Sequence, residues 1–106
     1  MDNQFDPVSV KDIEIGLVPR QFSLSQNYPN PFNPATVIRY LLPVTSYVAL
    51  KVFNILGQEV ATLVNEQLTP GSYETTFDGA QLSSGVYFCR LQAGSFIETK
   101  KLILLR

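Results

Sequence analysis

The chain has 106 residues, a formal net charge of -1, no histidine, no tryptophan and one cysteine, Cys89. Without histidine there is no Ser-His-Asp or Cys-His relay and no imidazole zinc site, and one cysteine permits neither an intrachain disulfide nor a CxxC motif. The near-neutral balance leaves no electrostatic footprint for nucleic acid.

The length fits one domain. Hydrophobic residues make up 45% and charged residues 16%, a globular composition and not a disordered one. No stretch approaches the roughly 20 apolar residues that span a bilayer. The start, Met1 to Asp6, is acidic and lacks the basic opening and apolar run of a signal peptide. That leaves a cytoplasmic protein or a piece of a longer chain.

In chain order, residues 1–20 are polar and acidic, with weak alternation at Val8-Ser9-Val10 and Ile13-Glu14-Ile15, and read as a strand or a linker. From residue 22 onward a period of two dominates. Strands are expected at 22–26, 36–42, 47–54, 59–64, 72–78, 86–92 and 96–105, each rich in β-branched or aromatic residues. Between the first two lies Tyr28-Pro29-Asn30-Pro31-Phe32-Asn33-Pro34. Its prolines fix φ and remove amide donors, which predicts an extended, polyproline-like crossing. Leu56-Gly57-Gln58 reads as a tight hairpin, with Gly57 supplying a positive φ. Pro70-Gly71 and Ala93-Gly94 mark further turns, and 79–85 has room for one helical turn. The whole predicts an all-β protein, an immunoglobulin-like β-sandwich of about seven antiparallel strands, with a small barrel as the structural alternative.

Motifs that carry chemistry are missing: no GxGxxG, Walker A loop, GxSxG elbow or EF-hand spacing. Asp12 with Glu14, and Asp78, read as solvated charges and a turn aspartate rather than a hydrolase pair. Cys89, in phase with Tyr87 and Leu91, reads as a buried thiol, and Arg90 as a solvated charge on the opposite face. Tyr73, Phe77, Tyr87 and Phe96 sit at core positions. Tyr28, Phe32 and Tyr47 are the rings expected to be exposed, and they carry an alternative reading as a carbohydrate-binding or structural accessory module. No enzymatic activity, cofactor or metal is expected.

The C-terminal end is more informative. Lys100-Lys101-Leu102-Ile103-Leu104-Leu105-Arg106 joins a basic doublet to an apolar run and a terminal arginine. It reads as the last strand of the sandwich. A last strand near a sheet edge offers unpaired backbone groups that another protein can read by strand addition. Charge is also polarised: two basic and four acidic groups in 1–20, four basic and one acidic in 90–106.

The run from Phe22 through Pro34, followed by Thr36-Val37-Ile38-Arg39-Tyr40 and Leu42-Pro43, closely resembles the opening of the type A C-terminal sorting domains of type IX secretion. Val52 to Val60 is similar to that family's central hairpin. Pro70-Gly71-Ser72-Tyr73 and Leu82 to Phe88 are similar to its glycine-tyrosine motifs, and Lys100-Lys101-Leu102 with Leu105-Arg106 to its ending. Cys89 stands where an aromatic residue is common in the family. The resemblance implies an immunoglobulin-like address label that carries a larger N-terminal cargo from the periplasm through an outer-membrane translocon to the cell surface or beyond. A sortase-like protease then removes it. On this reading residues 1–21 are a linker or remnant of the upstream region and 22–106 the sorting domain. Lys100, Lys101, Leu102, Leu105 and Arg106 are the expected translocon-recognition residues, and Pro29, Pro31, Gly57, Gly71, Tyr73, Gly85 and Tyr87 define the fold that displays them. Nucleic acid and a membrane span are not expected, and exposed edges allow a strand-mediated dimer.

Overall fold

The computed structural model describes residues 19–106. The readings made on 1–18, including the weak alternations and the Asp12/Glu14 pair, lie outside the described residues. Seven antiparallel strands follow in order: β1 (Ser23–Leu24), β2 (Ala35–Leu42), β3 (Ser46–Phe53), β4 (Glu59–Leu68), β5 (Gly71–Asp78), β6 (Gly85–Ala93) and β7 (Phe96–Leu104). They form two sheets, β1-β2-β5 and β4-β3-β6-β7. The sandwich expected from the sequence is the one observed, with immunoglobulin-like connectivity.

Strict alternation builds the core. In β3, Val48, Leu50 and Val52 are fully buried, and they face Ala93, Leu91 and Cys89 across the ladder to β6. Thr36, Ile38, Tyr40 and Leu42 of β2 supply the opposing layer. Leu102 and Leu104 of β7 close it at one side. Burial alone pushes the Cys89 thiol up to about 12, so it stays protonated and inert. Burial, then the nearby Tyr73 and Glu66 charges, pushes the Tyr40 phenol to about 12.

Three local expectations change. The 79–85 connector holds a β-turn and no helical turn. The Leu82 N–H donates to the Gly79 carbonyl at 2.9 Å, while the Asp78 Oδ1 accepts the Ala80 N–H at 2.9 Å. The Gly79–Leu82 bond is of the i to i+3 kind and no i to i+4 bond follows it, so the segment closes as a turn. Phe32, expected to be exposed, is 1% accessible and packs on Phe77 with centroids 5.9 Å apart, whereas Tyr28 and Tyr47 are exposed. The proline-rich segment is not an extended crossing. The peptide bonds before Pro29, Pro31 and Pro34 are cis, and the chain bridges Val37 through Tyr28 and Leu104 through Phe32. It steps from one sheet to the other within five residues and carries the Phe32 ring inward.

The Gly-x-Tyr motifs are one device used twice. Gly71 and Gly85 open β5 and β6 with φ of 156° and 152°, where a Cβ is disfavoured. Two residues later Tyr73 and Tyr87 donate their hydroxyls back to the Thr69 and Ser83 carbonyls, at 2.6 and 2.7 Å. Each is the tyrosine corner typical of immunoglobulin-like sandwiches. At the β3–β4 hairpin, Gly57 has the expected positive φ of 79°. There Asn54 organises the turn, its Oδ1 accepting from the Leu56 and Gln58 amides at 2.9 and 3.0 Å.

Candidate functional site: the terminal strand and its clasp

β7 is an edge of the four-stranded sheet, but its edge is not bare. Residues 22–32 run beside it from end to end. The Phe22 ring stacks on Phe96 at 5.1 Å. The Leu24 N–H donates to the Glu98 Oε1 at 3.1 Å, and the Gln26 Nε2 to the Lys101 carbonyl at 2.7 Å. The Asn30 Oδ1 accepts the Ile103 N–H at 2.9 Å. Phe32 completes the run with its main chain, donating to the Ile103 carbonyl and accepting from the Leu105 N–H, both at 2.9 Å. Backbone groups of residues 101–105 that a foreign strand would use are therefore already engaged. This narrows the expectation that the terminal strand offers open edge groups.

A buried polar knot holds the clasp itself. Asn27, 3% accessible, donates from Nδ2 to the Pro29 carbonyl and to the Thr36 Oγ1, at 3.1 and 3.0 Å. The Thr36 hydroxyl donates to the same Pro29 carbonyl at 2.8 Å. Every member has a partner, which a buried polar group requires. Pro29 thus supplies an acceptor, and Pro31 leads into the Phe32 anchor. The roles of Gln26, Asn27, Asn30, Phe32 and Thr36 were missed in the sequence. The available signal was an asparagine flanking each turn of a proline-rich run, because Asn side chains satisfy local backbone groups.

The five expected recognition residues divide by position. Lys100 and Lys101 point to opposite faces of β7. Lys100 shares the inward-facing parity of Leu102 and pairs with Glu98 at 3.3 Å, while Lys101 is exposed on the outer face. Leu102 is 0% accessible and belongs to the core. Leu105 is 53% exposed. The Arg106 guanidinium forks onto two main-chain carbonyls, Gly79 at 2.9 Å and Ala80 at 2.7 Å, and the Arg106 N–H donates to the Ser84 Oγ at 2.9 Å. The planar fork suits such paired acceptors. Gly79 leaves little room beneath it: a Cβ there would stand 3.1 Å from Leu104 Cδ2. On the outer face, Arg90 lies over the Phe53 ring at 4.6 Å and Lys51 pairs with Glu59 at 3.3 Å. Hydrogen bonds from Thr62 and then Lys51 hold the Glu59 carboxyl below its ordinary value. Among the described residues no group of metal-binding side chains converges.

Fold and site together define an immunoglobulin-like module whose last strand is clasped along its outer edge. Residues 26–105 match the family described as the secretion system C-terminal sorting domain, and the chain belongs to that family. It is a family of type IX secretion sorting signals and not of enzymes. Membership implies export to the cell surface or extracellular space, in concert with the secretion system and an N-terminal cargo region. No curated protein and no solved structure matches the chain.

Proposed function

We propose that the translocon reads the end of β7 on the folded domain. The observation that carries this reading is the division of labour among the five terminal residues. Lys101 and Leu105 present side chains to solvent, whereas Lys100, Leu102 and Arg106 are engaged within the domain and keep the strand in place. Recognition runs through the exposed pair, and the clasp keeps the signal rigid, which lowers the ordering cost of binding. The cargo passes through the periplasm before this step. A sortase-like protease then cuts within 1–21, upstream of the folded unit. The stacking of Phe22 on Phe96 supports placing the start of that unit at residue 22.

The test is a reporter carrying a signal peptide at its N-terminus and residues 22–106 at its C-terminus, in a host with type IX secretion. Lys101→Glu together with Leu105→Asp changes only exposed side chains. Export should fall at least tenfold while the circular dichroism of the purified domain stays unchanged. Full export of that double variant would overturn the reading.

A further inference from the structure

Two open sheets have four edges, and among the described residues three of them are protected. β1 and β7 lie on the clasped side, where residues 22–32 cover β7. β4 is irregular twice along its ladder with β3, leaving Leu63 and Val60 without opposite residues. Bulges of this kind bend an edge away from strand addition. β5 carries no such device. Its register with β2 is unbroken from Ala35↔Asp78 to Leu42↔Gly71, and it holds no proline and no lysine.

The direction of its free backbone groups follows from two bonds. The Gly79 N–H donates to the Pro34 carbonyl at 2.8 Å, so that pair is of the hydrogen-bonded kind. Alternation along an antiparallel ladder then assigns Phe77, Thr75, Tyr73 and Gly71 to bonds with β2. Val37 agrees from the far side, exchanging bonds with Tyr28 at 2.9 and 3.0 Å and so pointing away from β5. The N–H and C=O groups of Ser72, Glu74, Thr76 and Asp78 consequently face the open edge, and none meets a partner among the described residues. Their side chains are all exposed on the outer face.

We propose that this edge is a self-association surface, on which a second copy of the chain adds antiparallel, β5 to β5. The two three-stranded sheets become one of six strands about a two-fold axis, an isologous contact. Charge selects the register. Outward-pointing groups must face each other, which leaves three near-central alignments. One sets Glu74 against Glu74 of the second copy, and another sets Glu74 against Asp78. The third is centred on Thr75 and sets Glu74 against Thr76 and Ser72 against Asp78. Each Glu74 pairs with its own Arg39 at 3.0 Å, but that bridge is exposed and screened, so it lessens the repulsion without removing it. Like charges directly opposite remain destabilising, and the third wins. It also sets Tyr73 beside Phe77 of the second copy and Thr75 beside its own counterpart, both favourable cross-strand pairs. About eight new main-chain hydrogen bonds follow from the four hydrogen-bonded pairs.

Sedimentation equilibrium of the 106-residue chain, from about 10 µM to about 1 mM, reads the association. A monomer–dimer equilibrium is expected within that range. Thr76→Pro removes an N–H that the monomer does not use, a change an edge strand tolerates, and should weaken the dimer at least tenfold. Thr76→Glu should weaken it by facing Glu74, and Thr76→Lys should tighten it several-fold at the same exposed position. Thr75→Cys should give an interchain disulfide on oxidation, since facing Cα atoms in a non-hydrogen-bonded pair lie about 4.5 Å apart. A chain that stays monomeric throughout, or a dimer indifferent to Thr76→Glu and Thr76→Lys, overturns the proposal. That comparison decides even if the proline variant fails to fold.

Discussion

Replacing Phe32 by alanine tests whether the clasp is anchored through its aromatic ring. The ring is 1% accessible and touches Phe77 and the wall beside Gly79. Losing its burial costs about 2–3 kcal/mol of transfer free energy. The aromatic pair with Phe77 adds roughly 0.5–1.5 kcal/mol, and the cavity left behind brings the total to about 3–5 kcal/mol. For a domain of this size that lowers Tm by roughly 15–30 °C. A second readout locates the effect. The Leu105 N–H donates to the Phe32 carbonyl, so its amide exchange should accelerate more than that of Leu50 in the central strand β3. Guanidinium unfolding with an unchanged m-value gives the global figure. A loss below about 1 kcal/mol, or Leu105 protection equal to wild type, would refute the anchoring argument.

Tyr87→Phe should cost about 1 kcal/mol by removing the bond to the Ser83 carbonyl, and Tyr73→Phe less, because Tyr87 is buried whereas Tyr73 is only half-buried and its bond to Thr69 lies open to water. Urea midpoints in the reverse order would contradict that ranking. Arg106→Lys keeps the charge but not the fork on Gly79 and Ala80, and should cost about 1 kcal/mol, seen as faster exchange of the Arg106 amide bonded to Ser84. Equal exchange would remove the fork from the account of β7. Stability should also fall on the alkaline side. The Cys89 and Tyr40 groups lie near 12 in the fold, from ordinary values of 9.0 and 10.0. Between about pH 9 and 12 the unfolded chain therefore releases protons that the folded chain retains, so unfolding becomes easier as pH rises. A urea midpoint that is flat from pH 8 to 11 would contradict this, as would labelling of native Cys89 by a thiol reagent at pH 8.

The strands were legible because alternation survives in them: Val48, Leu50 and Val52 read as one face and are one face. Turn chemistry was legible where one residue dictates it, as at Gly57. The clasp was not. Phe32 sits between two prolines in a polar run, and no period links it to Leu104, seventy-two residues on, which it bridges in the fold. The two irregularities of β4 were invisible for a similar reason, since they belong to a register with β3 and not to the local pattern. Terminal residues read as one recognition word separated once burial was known, because Leu102 belongs to the core and Leu105 does not. The polar knot around Asn27 depends on the carbonyl direction of Pro29, which composition does not encode.

The clasp and β7 run in the same direction, with Phe22 beside Phe96 and Phe32 bridged in parallel to Leu104. The upstream chain therefore joins the domain at the pole where β7 begins, and Arg106 lies just past the other pole, where the strand ends at Leu104 about 26 Å on. Tension applied between those poles, from the upstream chain to the end of β7, slides two parallel neighbours along their length. All the contacts of the clasp then share the load at once instead of parting one by one as in a zipper. Resistance to such a pull is set by the rate of unfolding and not by equilibrium stability. The domain is thereby stiff along the line between the upstream chain and the end of β7, the direction in which a translocon gripping that end, as proposed above, would pull.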